Sequence, residues 1–335
     1  MQSRIALTFS LALVASSVFG LPPSREVAEH QRQILAQLKE SLAEKSDEDK
    51  IAAIARVWSE SDEADIDQRL RLLEIAVGIP GAATEAFLIG RLTAEEDAGL
   101  RSRVATALGK TGSEKCLAVL AKVAASDRTT NMQMGCMRRS SSARRAATFA
   151  LAELAARFPK LAGTAAAELR GLPVAEDPQD NESLWDARQQ SLYQITHEAL
   201  LIEPFLERLK SDDPKVRRRG VVAFRFLKLD KAPPQLVSAL EDADPEASTW
   251  TASVLGEIKD PRTVEPLMAV AADGKLKRGV RSNAIDALGR MRAAAAAELM
   301  ETLLADEWVS ADAAIALYRI TGKKTQQFPE GYNAD

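Results

Sequence analysis

"VRSNAIDALGRM" (280–291) places Val280, Ala284, Ala287, Leu288 and Met291 at offsets 0, 4, 7, 8 and 11. These offsets trace one stripe of an α-helix with 3.6 residues per turn. The stripe recurs along the chain. It reads Leu100, Val104, Ala107, Leu108 and Thr111, and then Ala143, Ala147, Ala150, Leu151 and Leu154. Leu184, Arg188, Ser191, Leu192 and Ile195 follow, and then Val216, Gly220, Ala223, Phe224 and Leu227. The next copies are Ala247, Thr251, Val254, Leu255 and Ile258, and Val309, Ala313, Ala316, Leu317 and Ile320. A weaker early copy is Gln68, Leu72, Ile75, Ala76 and Ile79.

The fourth position of the stripe is Leu in six of the seven strong copies and Phe224 in the other. The third is always small or Val. A large residue beside a small one suits close helix packing, because a neighbouring helix approaches over the small one. The fourth-position residues lie 43, 41, 32, 31, 33 and 29 residues apart. A period near 30, stretched in places, predicts a stacked solenoid. A second, shorter amphipathic helix follows each stripe, at 113–124, 160–170, 203–210, 233–241, 262–272 and 293–305. Asp213-Pro214, Asp244-Pro245 and Asp260-Pro261 each place an Asp at a helix N-cap and a Pro at the first helical position.

The composition agrees. Of 335 residues, 46% are apolar, 27% charged and only 5% aromatic, which fits a folded, all-α chain. The net charge of −4 argues against a dedicated nucleic-acid binder.

"VRSNAIDALGRM" and "LRSRVATALGKTG" (100–112) resemble HEAT repeats, especially the short type first associated with phycobilin-lyase subunits. "KDPRTVEPLMAVAAD" (259–273) resembles the second helix of such a unit. The resemblance implies a right-handed α-solenoid of about seven to eight stacked helix hairpins, spanning 62–322. It is specific for fold and weak for function, since the family includes scaffolds, adaptors, enzyme subunits and a few enzymes.

The N-terminus, "MQSRIALTFSLALVASSVFGLPPSR" (1–25), has Arg4, an apolar run over 5–19, and small residues before Leu21. It reads as a secretory signal peptide over 1–20, with no stable membrane insertion once it is cleaved. The expected order is this signal, an N-terminal helical cap over 21–61, the array over 62–322 and a polar tail over 323–335. The expected location is exported, either periplasmic or secreted.

Two insertions stretch the period, at 128–142 and 171–183. The second is acidic and Pro-rich, and reads as a solvated linker. The first carries Met132, Met134, Cys136 and Met137. Clustered soft sulfur could hold Cu(I), pack an irregular loop, or leave Cys136 to pair with Cys116 in a disulfide. The same region supplies Arg138, Arg139, Arg144 and Arg145. With Arg217–Arg219 and the run Lys275, Lys277, Arg278 and Arg281, they form either a basic ridge for an acidic partner or a ladder of contacts between repeats. Arg188 stands in the stripe and needs a carboxylate if buried, perhaps Asp186. With Trp185 beside it, this repeat is a candidate recognition spot. Further binding candidates on the second helices are Glu207, Arg208, Arg262 and Glu265.

No Gly-rich phosphate loop, nucleophile elbow or HExxH motif is present. HEAT-like metal hydroxylases hold di-iron with several His-Glu pairs, whereas this sequence has one, His197-Glu198. The reading is therefore an exported scaffold that binds another macromolecule, a protein, without catalysis or cofactor. The alternatives are a lyase-like or other enzyme-associated subunit that cradles a cofactor or substrate, and a purely structural envelope protein.

Overall fold

The computed structural model describes residues 33, 34, 36–38, 40–61, 66–126, 143–173, 178–329 and 331, without the side chains of 178–183. All regular structure among these residues is helical, as an α-solenoid requires. The chain divides after Thr196 into two compact units. Unit 1 holds α1 (Asp47–Glu60), α2 (Ile66–Val77), α3 (Ala82–Ala94), α4 (Ala98–Thr111), α5 (Cys116–Ser126), α6 (Ala143–Arg157), α7 (Ala162–Arg170) and α8 (Pro178–Thr196). Unit 2 holds α9 (Glu203–Arg208), α10 (Pro214–Phe224), α11 (Pro234–Ser238), α12 (Pro245–Ile258), α13 (Val264–Ala272), α14 (Arg278–Arg290), α15 (Ala297–Leu303) and α16 (Ser310–Thr321).

The stripe is the core. Leu100, Val104, Leu108, Ala147, Leu151, Leu255, Ala284, Ala287, Leu288, Ala313 and Ala316 are all shielded from solvent. Each buried Leu contributes about 1.5–3 kcal/mol relative to leaving it in water.

Why the third position must be small is visible one turn further on. A Cβ added to Gly109 would lie 2.8 Å from the Ala150 Cα, one on Gly256 would lie 2.7 Å from the Ala287 Cα, and one on Gly289 would lie 2.9 Å from the Ala316 Cα. In each case the glycine at offset 9 of one first helix touches the alanine at offset 7 of the next. The pairing recurs at the same offsets, so consecutive first helices run parallel and in register. Polar contacts repeat the rule. Ser282 at offset 2 donates to Asp312 at offset 3 (2.7 Å), and Arg319 at offset 10 pairs with Asp286 at offset 6 (2.6 Å).

α8 and α16 break this pattern. Each closes its unit, and each puts Tyr at offset 9, as Tyr193 and Tyr318. The near-identical strings "SLYQIT" (191–196) and "ALYRIT" (316–321) therefore mark two ends. No first helix of the same unit follows either one, so no glycine is required. At the second end the tail residue Phe328 packs on Tyr318, with centroids 5.1 Å apart, and Lys324 lies over both rings. Part of the expected polar tail is thus packed against its unit.

Three local expectations change. The insertion at 171–183 is not linker throughout, because α8 begins at Pro178. Asp213 caps α10 as expected, accepting from the Lys215 N–H at 2.8 Å. Asp244 makes no such bond, because its carboxylate faces Arg218 at 3.0 Å. Asp260 opens a 3-10 turn at Pro261–Thr263 before α13 starts. The signal peptide expected over 1–20 lies outside the described residues.

Candidate functional site

The most regular chemistry in the molecule starts one residue after the stripe begins. That position is Arg69, Arg101, Arg144, Arg217 and Arg281 in five first helices. From the first turn of its helix each arginine can reach back to the preceding connection. Arg101 donates to the carbonyls of Glu95 and Glu96, both at 2.7 Å. Arg144 donates to the carbonyls of Ala124 (2.9 Å) and Pro173 (3.2 Å). Arg217 donates to the carbonyl of Ser211 (2.8 Å) and reaches forward to both carboxylate oxygens of Asp242, at 2.7 and 2.8 Å. Arg281 binds the Ala271 carbonyl (3.1 Å) and Asp306 (2.7 Å). Arg69 meets Glu95 at 3.2 Å, with both side chains almost fully buried.

The arginines hold these carboxyls down. The Arg217 hydrogen bond is the main cause that keeps Asp242 below its ordinary range, against the cost of burial. The Arg281 hydrogen bond does the same for Asp306, helped by the Trp308 N–H. Asp260 goes furthest, well below the usual carboxylate range. Its main cause is the Arg262 side chain, with the backbone N–H groups of Arg262 and Ala232 adding to it against desolvation.

Of the basic runs, Arg144, Arg217 and Arg281 are therefore structural ties between successive turns. Arg218 pairs with Asp244 and Glu246. Arg145 lies over the Phe149 ring at 5.4 Å, and burial lowers its pKa while the Asp186 charge partly restores it. Asp186 thus acts on Arg145, and the expected Arg188–Asp186 pair is replaced. Arg188 is half-buried, with its Nε–H unpartnered among the described residues. Trp185 sits on the same helix, half-buried.

On the second helices, Glu207 pairs with Lys210 at 2.6 Å, and Arg208 lies over Phe205 at 5.4 Å. Arg262 is committed to Asp260 at 2.5 Å. Glu265 is exposed on α13. Met132, Met134, Cys136, Met137, Arg138 and Arg139 lie outside the described residues, and with them the sulfur cluster and the Cys116–Cys136 pairing. Cys116 itself is a buried free thiol. Burial first, and then the Glu85 charge, push it up to about 11. Burial would raise the Glu85 carboxyl, but hydrogen bonds from the Ser113 N–H and hydroxyl and from Cys116 outweigh it and leave it lowered.

Among the described residues, no group of three or more His, Cys, Asp or Glu could hold a metal. No helix among them is long and apolar enough to cross a membrane.

The sequence reading missed two exposed aromatic residues, Trp250 (40% exposed) and Trp308 (60%). Both lie off the stripe, and Trp308 sits in the turn before α16. A tryptophan outside the apolar period was the available signal.

No curated protein matches the chain. Solved structures do. Human deoxyhypusine hydroxylase, in complex with glycerol, is 18% identical, with a TM-score of 0.37, over 84% of this chain and 100% of that one. The YibA protein of E. coli is 16% identical, with a TM-score of 0.43, over 87% of this chain and 96% of the other. The family model described as HEAT repeats matches twice, over 202–278 and 233–318, which is the stretch of in-register first helices in unit 2. Residues 202–318 of this chain therefore belong to the HEAT-repeat family.

Proposed function

We propose that the protein is an exported scaffold that binds another protein through its helical-repeat surface, without chemistry of its own. The observation that carries this reading is the pair of exposed tryptophans on a rigid array. Trp308 and Trp250 leave large apolar rings in water, while helices packed in register hold their backbones fixed. Tryptophan is enriched among the residues that dominate protein interfaces. Preorganised side chains lose little entropy when a partner covers them. HEAT repeats commonly mediate protein interaction, which supports the same reading.

The test is capture of partners from an envelope extract on the immobilised mature protein. Wild type should retain a saturable protein partner. Trp308→Ala with Trp250→Ala should weaken retention at least tenfold while leaving the helical content unchanged. Absence of any saturable partner, or equal retention by the double variant, would overturn the reading. Export is tested separately by N-terminal sequencing of the cellular protein. A mature start near Leu21 is expected, and an intact Met1 contradicts it.

A further inference from the structure

In unit 2 the first helices end in a way that does more than stop them. Lys228, Lys259 and Arg292 follow α10, α12 and α14 with left-handed backbones, at φ of 52°, 58° and 51°. Side chains with a Cβ adopt this region at a cost, and helices usually close with glycine there. α16 does so, with Gly322 at φ 77°. Three consecutive repeats thus place a long cation where glycine is the easier choice.

All three are exposed, as are Lys231, Lys323 and Lys324. The first helices run parallel and in register, so their C-terminal ends form one edge of the unit. The carboxylates nearby are already committed. Glu257 serves Arg225 (2.7 Å), Asp286 serves Arg290 (2.8 Å) and Arg319 (2.6 Å), and Asp260 is turned inward onto Arg262. The side chains of Lys231, Lys259, Arg292 and Lys323 make no ion pair among the described residues. The N-terminal edge of the same helices differs, because Arg217, Arg218 and Arg281 neutralise its Asp242, Asp244 and Asp306.

We infer that this C-terminal edge of unit 2 docks an extended acidic peptide, one carboxylate to each repeat. The inference rests on the reading of the protein as a protein-binding scaffold and names the chemistry of its partner. Spacing selects the peptide. Packed helices lie about 8–10 Å apart, so the cations recur at about that interval. A polyproline-II chain advances about 9.3 Å every three residues, so a Glu at every third position keeps step with the edge. Duplex nucleic acid carries a charge about every 1.7 Å, far denser than one cation per helix can match.

The probe is a fluorescein-labelled (Glu-Pro-Pro) repeat of about 15 residues, read by fluorescence anisotropy at low and physiological salt. Wild type should bind it and should ignore the (Lys-Pro-Pro) counterpart. Lys259→Gly with Arg292→Gly should weaken binding about tenfold, a loss reversed by raising salt for wild type alone. The same variant relieves two left-handed side chains, so its melting temperature should hold or rise. Lys259→Asn with Arg292→Asn, which also tolerates that backbone, should lose binding equally. Lys275→Ser with Lys277→Ser removes the same charge from the opposite edge and should bind within about twofold of wild type.

No binding by wild type overturns the inference, as does equal loss from the opposite-edge variant. So does tighter binding of heparin or duplex DNA through the same two cations. If the immobilised protein captures its partner but not the peptide, the docking edge falls and the scaffold reading stands. If it captures neither, both fall.

Discussion

The two units use the same arginine for different ends. In unit 2, where the stripes recur every 29–33 residues, Arg217 and Arg281 each reach a carboxylate 25 residues ahead, Asp242 and Asp306. In unit 1, where insertions stretch the period to 41–43 residues, Arg101 and Arg144 reach only main-chain carbonyls. The arginine is set by its place in the first turn of a helix. Its partner is set by the length of the connection that returns to it. A short, regular connection delivers an Asp to the same spot each time, and an insertion moves it away. Regular spacing in the chain thus becomes a ladder of ion pairs, and irregular spacing becomes hydrogen bonds to loops.

The largest effect expected is shared by both units and tests whether they are packed alike. Gly256→Val and Gly109→Val each force a side chain onto the Cα of the next first helix, and each should cost about 3 kcal/mol by urea denaturation. Gly90 meets nothing within 4 Å, so Gly90→Ala should be neutral or stabilise by about 0.5–1 kcal/mol. A mild Gly109→Val would break the equivalence of the units.

Next comes a feature of unit 2 alone. Asp260→Ala leaves the buried Ala232 N–H without its acceptor and frees Arg262, and should cost about 2–3 kcal/mol. The dependence on pH sharpens the contrast further. Asp242, Asp260 and Asp306 all have folded-state pKa values below the unfolded carboxylate value of about 3.9. Their contribution is complete above that value and is lost as pH falls through the lower folded values. Unit 1 has Glu85 in the same position of the argument. Hydrogen exchange followed from neutral to acid pH should therefore show α12 and α14 losing protection before α4 and α6. Simultaneous loss would contradict the difference.

The smallest effect concerns Cys116. With its thiol buried and raised to about 11, it should resist alkylation at pH 8 until the protein is unfolded. Rapid labelling of the native protein at Cys116 would contradict that burial.

Much of the fold was legible because one period dominates it. Offsets 0, 4, 7 and 8 are set by helix geometry alone, and the side chains they name are the ones buried. The need for a small third residue was readable too, but its partner was not, because Gly256 and Ala287 are 31 residues apart. The division after Thr196 was hidden. "SLYQIT" and "ALYRIT" look like equivalent inner helices, and only the missing neighbour shows that each is an end. The site was less legible still. Arg144, Arg145 and Arg262 are exposed-looking cations in sequence, yet loop carbonyls, an aromatic ring and a neighbouring carboxylate engage them. Whether a charge is committed depends on connections that no local pattern encodes.

The ladder is what separates the two units, and a double-mutant cycle on Arg217 and Asp242 tests it most directly. Arg217→Met, Asp242→Asn and the double variant would be compared with wild type by urea denaturation. The pair is mostly shielded and doubly hydrogen-bonded, so a coupling of about 1–2 kcal/mol is predicted. A coupling below about 0.3 kcal/mol would place the pair among ordinary surface contacts and contradict the account.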